Sequence, residues 1–116
     1  MSIDLGYYIE REGVLVPAAL EEWGEFFEDL AHRTVGRSIV SDMEIVTVCT
    51  GHNAEATTPP SFYSTGVFQR ENNDKLGTMK REWFYSTREA AERGHRRIVE
   101  AVRRGDRLSS IRMERA

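Results

Sequence analysis

The chain is poor in cysteine, proline and histidine, with one, three and three of them in 116 residues. A single thiol, Cys49, cannot close an internal disulfide, so nothing calls for a disulfide scaffold or an oxidising compartment. One cysteine and three scattered histidines, with no HxxxH, CxxC or HxH spacing, make a poor ligand set, and neither a metal nor another cofactor is expected. No apolar run approaches the roughly 20 residues that cross a bilayer. Met1–Gly6 shows neither a basic n-region nor an apolar h-region, so no secretory signal is expected. A cytoplasmic location without a membrane partner is the expectation. Gly51 and Gly66 fit neither a phosphate-binding loop nor a dinucleotide fingerprint, and there is no internal repeat or interdomain linker.

What is present suits one globular domain over residues 1–116. Hydrophobic residues make up 40% and charged residues 30% of the chain, which argues against global disorder. A chain of this length buries roughly 65% of the surface its unfolded form exposes. The net charge of −3 is unevenly spread: residues 1–60 hold eleven acids and three bases, whereas residues 61–116 hold eight acids and thirteen bases. Fourteen of the sixteen bases are arginine, eight of them between Arg93 and Arg115. This asymmetry suits a basic face for an anionic partner or an acidic and a basic helix in the same fold or in neighbouring subunits. The interleaving with Glu92, Glu100, Asp106 and Glu114, which looks like a solvated helix face, favours the latter. With no helix-turn-helix signature and a slightly negative balance, duplex nucleic acid is not an expected partner.

Periodicity predicts an α+β fold, a four-stranded antiparallel sheet packed against two helices. Tyr7–Glu10 and Val14–Val16, flanking Arg11-Glu12-Gly13, suggest a hairpin or extended arm within residues 1–16. Pro17 suits the first turn of a helix. Leu20, Trp23, Phe27 and Leu30 then form an amphipathic stripe over Ala18–Arg33, opposite the acidic Glu21, Glu22, Glu25, Glu28 and Asp29. Strands are expected at Gly36–Ser41, Glu44–Thr50, Ser61–Arg70 and Met79–Tyr85, with a turn-rich loop over 71–77. The second of these is apolar on both faces, as a central strand covered on both sides would be. With two helices available for one side, the other cover would be the N-terminal arm or another subunit. Ser86 with Glu89 forms a capping-box signature for a helix running to Arg104 and ending at Gly105. Gly94 in that helix costs about 1 kcal/mol relative to alanine, which points to a close approach to the sheet. Residues 106–116 read as a polar, arginine-rich and frayed tail.

Three segments bear a resemblance to a known group. They are Val46-Thr47-Val48-Cys49-Thr50-Gly51-His52-Asn53, Pro59-Pro60-Ser61-Phe62-Tyr63-Ser64-Thr65-Gly66-Val67-Phe68, and Tyr85-Ser86-Thr87-Arg88-Glu89-Ala90-Ala91-Glu92-Arg93-Gly94-His95. In order and spacing they resemble small uncharacterised bacteriophage and prophage proteins, whose segments read like S-T-V-F-L-G-x-D-H, P-P-L-L-F-E-T-M-V-F and Y-S-T-x-x-E-A-x-x-G-H. The resemblance covers about Leu20 to Arg104 and implies a phage context, action in the host-cell cytoplasm and a compact α+β fold. Where that group has a glutamate and a methionine in the second segment, this chain has Ser64 and Gly66, which lowers the expectation of carboxylate catalysis.

The candidate ligand-binding residues are His52, Asn53, Tyr63, Thr65, Arg70 and Arg81. His52 and Asn53 leave the end of the central strand, where sites collect, although Gly51 and Asn53 equally suit a turn. Tyr63 and Thr65 share one strand face, as do Arg81, Trp83 and Tyr85, and stacking rings beside guanidinium groups hold bases and phosphates. Trp83 and Tyr85 also suit a core under the last helix. His95, on that helix's apolar stripe, reads as a core histidine bonded to a backbone carbonyl. His32 reads as a partner for the C-terminal dipole of the acidic helix, and Cys49 as a small buried hydrophobe. With no catalytic constellation in view, the expected function is a non-enzymatic phage binding protein. It would self-associate and counteract host defence by sequestering a small anionic nucleotide signal in pockets between subunits. The alternatives are an inhibitor that binds a host protein through Glu21–Asp29, and a small hydrolase or transferase using His52, Tyr63 and Arg81.

Overall fold

Two tight turns organise the first half of the chain. Strands β1 (Tyr7–Arg11) and β2 (Val14–Ala18) pair antiparallel through Glu12 and Gly13, both at positive φ (53° and 80°), as the primed two-residue hairpin turns demand. Strands β3 (Thr34–Val40) and β4 (Met43–Cys49) meet at the Val40–Met43 pair, so their turn is Ser41-Asp42, one residue earlier than the Asp42-Met43 that the expected strand bounds, Gly36–Ser41 and Glu44–Thr50, leave between them. Ser41 takes the positive φ there. The computed structural model describes residues 4–53, 55–71 and 76–112. Part of the expected 71–77 loop lies outside the described residues.

Strands β5 (Tyr63–Arg70) and β6 (Leu76–Tyr85) complete a four-stranded antiparallel sheet in the order β3-β4-β5-β6. Beside it, among the described residues, stand the β1-β2 hairpin and three α-helices, α1 (Leu20–Glu28), α2 (Leu30–Arg33) and α3 (Arg88–Arg103). The architecture is α+β, as the periodicity predicts. Within the sheet, register lines up three rows of residues: Ile39–Glu44–Phe68–Met79, Arg37–Val46–Gly66–Glu82 and Thr34–Val48–Ser64–Phe84. Period-two alternation puts these rows on one face. The other face carries Ser38, Ile45, Thr47, Cys49, Tyr63, Thr65, Val67, Trp83 and Tyr85.

The second face is the one that α3 covers, packing across all four strands. Ile45, Cys49, Val67, Ala91 and Ile98 have no solvent exposure at this seam. Gly94 explains how the helix comes so close: a Cβ there would lie 2.3 Å from the Tyr85 ring. The helix starts one residue later than the capping box suggests, with Thr87 rather than Ser86 as its cap, its hydroxyl accepting from Ala90 N. Its C-terminus is a Schellman turn. Gly105 sits at φ 79°, its N–H reaches Val102 O, and Asp106 N–H reaches Ala101 O.

Several expectations need correction. Pro17 lies in β2 opposite Tyr8, not in a helix; in a two-stranded hairpin the missing N–H can face away from the only partner. The single helix over Ala18–Arg33 is broken at Asp29 (φ −90°, ψ 77°), whose carboxylate caps α2 by accepting from His32 N and also pairs with the His32 ring. His32 is thereby tied to a side chain rather than to the helix dipole. Finally, the inward face of α1 is Trp23 and Phe26, while Leu20 and Phe27 are 55% and 42% exposed. The tail is also less frayed than it reads, because Leu108–Ser110 forms a 3-10 turn that delivers Ile111 to the core. Residues 113–116 lie outside the described residues.

Candidate functional site: a cleft along the free edge of β6

Among the described residues β6 pairs only with β5, which leaves its outer edge outside the sheet's hydrogen bonding. A cleft of about 500 Å³ runs along that edge, within the roughly 300–1,000 Å³ range of small-ligand pockets. Its floor is six consecutive residues, Arg81 to Ser86. Consecutive residues alternate between sheet faces, so the cleft follows the backbone edge rather than one face. The walls are the loop around Thr57–Pro59 and the tail residues Ile111 and Arg112.

Asn53 builds the loop wall. Its buried side-chain amide donates to Asp4 O and Thr57 O (3.1 and 2.9 Å) and accepts from the N–H groups of Thr57 and Ser61 (3.2 and 3.0 Å). Both ends of the amide are used, so Asn53 is the organiser of the loop and not a ligand contact. His52 pairs with Tyr7 across an isolated bridge and its ring packs beside those of Tyr7 and Trp23. Its Nδ1 is buried with no partner among the described residues. Trp23 Nε1 donates to Thr50 O at 2.9 Å, which fixes α1 and the hairpin on the end of β4.

Within the cleft the cation is Arg81, whose Cζ lies 5.3 Å from the centre of the Trp83 ring, in the range of a cation–π contact. Arg112 supplies a second guanidinium at the opposite wall, and Glu55 and Glu82 supply carboxylates. Trp83 is 7% exposed, and its Nε1 is a buried donor with no acceptor among the described residues. Such a group costs about 1–3 kcal/mol while unpaired. The cleft therefore offers two guanidinium groups and an aromatic ring, and one of its walls carries an unused N–H.

The remaining candidates do not reach this cleft. Tyr63 and Thr65 are 2% and 0% exposed and lie under α3 and the hairpin. The Tyr63 hydroxyl donates to Glu10 Oε2 at 2.8 Å, and Arg88 Nη1 donates to both Glu10 oxygens at 3.0 Å. This carboxylate links the hairpin, β5 and the start of α3. Burial, reinforced by the bond to Glu10, raises the Tyr63 phenol above its ordinary range. Thr65 belongs to a second buried chain: Tyr85 OH donates to Thr65 Oγ1 (3.0 Å), which meets Thr47 Oγ1 (2.5 Å), which meets His95 Nδ1 (2.7 Å), while His95 Nε2 meets Ser38 Oγ (2.9 Å). One direction of donation satisfies all of them, with Thr65 donating to Thr47, Thr47 to Nδ1, and Nε2–H to Ser38. His95 is thus a core histidine, bonded to hydroxyls and not to a carbonyl. Arg70 sits at the far end of β5, 3.7 Å from the buried Glu44 carboxylate, which Arg37 also binds.

No cluster of three or more His, Cys, Asp or Glu side chains placed to hold a metal occurs among the described residues. Cys49 is fully buried, and its thiol is pushed up to about 12, first by burial and then by the Glu10 charge, so the thiolate that a nucleophile needs is not populated. Arg112 and Ile111 were not legible as cleft residues, because only tertiary packing brings the tail to β6; a lone isoleucine in a polar tail was the available signal. Comparison with known proteins finds no matching family model, no matching curated protein and no matching solved structure.

Proposed function

We propose that the protein is a non-enzymatic binding protein that holds a small anionic ligand bearing a flat ring, of the nucleotide class, in the cleft on the β6 edge. The observation that carries this reading is the Arg81 guanidinium over Trp83, with Arg112 on the facing wall. Guanidinium groups pair with phosphate oxygens bidentately, and an aromatic or guanidinium plane stacks on a base. Supporting it, the Tyr63 and Tyr85 phenols and the His95 imidazole are engaged in structural contacts, and the Cys49 thiol is raised out of reactive range. The three phage-like segments are the sole support for a phage protein that disarms a host signal in this way. The test is calorimetry against a panel of mononucleotides and cyclic nucleotides, with tryptophan fluorescence in a Trp23→Phe background so that Trp83 reports alone. Saturable binding that Arg81→Ala weakens by about tenfold supports the proposal; no binding across the panel at millimolar ligand refutes it. A direct protein partner is the second reading, favoured by Leu20 and Phe27 exposed beside Glu21, Glu25 and Glu28 on α1. A stoichiometric host protein in a pull-down, with no small ligand bound, selects it.

A further inference from the structure

The face of the sheet turned away from α3 is organised as if to meet itself. In the middle row, β3 carries Arg37, β4 carries Val46, β5 carries Gly66 and β6 carries Glu82. In the row towards the β3–β4 turn, β3 carries Ile39 and β6 carries Met79. Ile39 and Met79 are 48% and 44% exposed, the Arg37 side chain is 58% exposed, and Glu82 is exposed. Phe68 is partly buried and lies over Gly66, where a Cβ would come within 2.8 Å of its ring. These rows present a cation at one edge, an anion at the opposite edge, and apolar side chains at both edges beside them.

We infer that a second copy of this chain covers this face, packed sheet to sheet about a twofold axis parallel to the strands. That rotation lays β3 over the partner's β6 and keeps each row opposite itself. Arg37 then meets the partner's Glu82, and Ile39 meets the partner's Met79, with each pairing made twice. No other simple sheet-on-sheet arrangement does this, since a twofold perpendicular to the strands puts β3 over β3 and sets Arg37 against the partner's Arg37. Packed sheets lie about 10 Å apart, a gap that arginine and glutamate side chains span together, and the usual misalignment of about 30° between packed sheets is within their reach. Arg37 already donates through Nε to Glu44, and a guanidinium's five N–H donors are compatible with a second carboxylate. The interface meets the cleft only at Glu82, since Arg37, Ile39 and Met79 do not line it, so Arg37 and Met79 variants test the contact apart from the ligand reading.

Sedimentation equilibrium tests the inference. The wild-type chain is expected to dimerise, more weakly as salt rises. Glu82→Lys alone sets like charges against Arg37 twice and weakens the dimer by about tenfold or more. Arg37→Glu alone does the same against Glu82. Mixed in equal amounts, the two variants form a heterodimer in which both charge pairs are complementary, and association recovers. Met79→Glu, at a position 44% exposed in the single chain, dissociates the dimer while leaving far-UV circular dichroism unchanged, and its melting temperature, unlike that of the wild type, no longer rises with protein concentration. A monomeric wild-type chain overturns the inference. So does a dimer that is insensitive to Met79→Glu, or a charge-swapped mixture that fails to associate; either result would move the contact to another surface, with the exposed Leu20 and Phe27 of α1 first in line.

Discussion

Replacing glycine by alanine at two helical positions of this chain should change stability in opposite directions. At Gly24, in α1, an added Cβ meets nothing within 4 Å. The gain is the helix propensity of alanine over glycine, up to about 1 kcal/mol, part of it from a less flexible unfolded chain. At Gly94, in α3, the same gain is available, but the Cβ would lie 2.3–2.5 Å from the Tyr85 ring and hydroxyl. Tyr85 is 4% exposed and has no room to swing. Overpacking of a core of this kind costs about 1–3 kcal/mol. Displacing the Tyr85 hydroxyl also breaks its bond to Thr65 at the head of the chain that reaches His95, at about 1 kcal/mol for each bond lost. Subtracting the propensity gain leaves Gly94→Ala destabilising by about 1–3 kcal/mol, a fall in Tm of roughly 4–15 °C for a domain of this size. Gly24→Ala should raise Tm by a few degrees. Thermal melts of the two variants beside the wild type decide it. A Gly94→Ala protein as stable as its parent would refute the close approach of α3 to the sheet and, with it, the buried hydroxyl chain.

Two further outcomes follow from the buried polar groups. Burial, with Arg96 nearby, lowers the His95 pKa, so the unfolded chain binds a proton that the folded chain refuses. Stability from this group is complete above the unfolded value near 6.5 and is lost as pH falls below it. Chemical denaturation at pH 7 and pH 5.5 should therefore show a drop that His95→Gln reduces; an equal drop in both proteins would remove His95 as its source. Glu10→Ala leaves Tyr63 and Arg88 without their shared acceptor, and should cost about 2–5 kcal/mol. In a double-mutant cycle with Arg88→Ala the second substitution should cost much less than it does alone, and additive losses would show that the two side chains do not act together.

The sheet was legible in the sequence because its strands are short apolar or alternating runs bounded by turn residues, whereas the register of β4 on β5 is not set by the long connection between them. Gly94 was legible as a contact point because a glycine inside an otherwise good helix needs a reason. The face of α1 was not: Leu20, Trp23, Phe27 and Leu30 keep a helical spacing only if the helix is continuous, and Asp29 breaks it. Phe26 and Phe27 are adjacent aromatics, and which one turns inward depends on where the hairpin docks. Ser86 and Thr87 are both competent caps, so the first turn of α3 was fixed by the backbone path out of β6. For the site, the alternation Arg81-Glu82-Trp83-Phe84-Tyr85 correctly separates the faces, yet it carries no mark of which face α3 will cover. Tyr63 and Thr65 share their face with Trp83 and Tyr85, so the covering of that face buries all four, and of these only Trp83 and Tyr85, on the edge strand, still border the cleft beside Arg81.

That division of polar groups bears on what kind of work the fold favours. Under α3 and the hairpin, one carboxylate, one imidazole, two phenols and two threonine hydroxyls are bonded in two networks that draw on five elements, β1, β4, β5, β6 and α3. Each is satisfied by another, and satisfied buried networks rigidify a core. Recruiting any of them to chemistry would leave its partner unpaired, at about 1–3 kcal/mol for a neutral group, which a domain of this size can spare once or twice. Along the β6 edge the balance is reversed. Arg81 and Arg112 can be re-paired with a ligand without unmaking the core, and the Trp83 N–H gains an acceptor if one reaches it. Substitutions at the two places should therefore separate cleanly in experiment, with Thr47→Val or Thr65→Val moving Tm and leaving ligand affinity per folded molecule unchanged, and Arg81→Ala or Arg112→Ala moving affinity and leaving Tm within a degree or two. A variant under α3 that abolished binding while melting like the wild type would place the functional groups in the core and not on the edge.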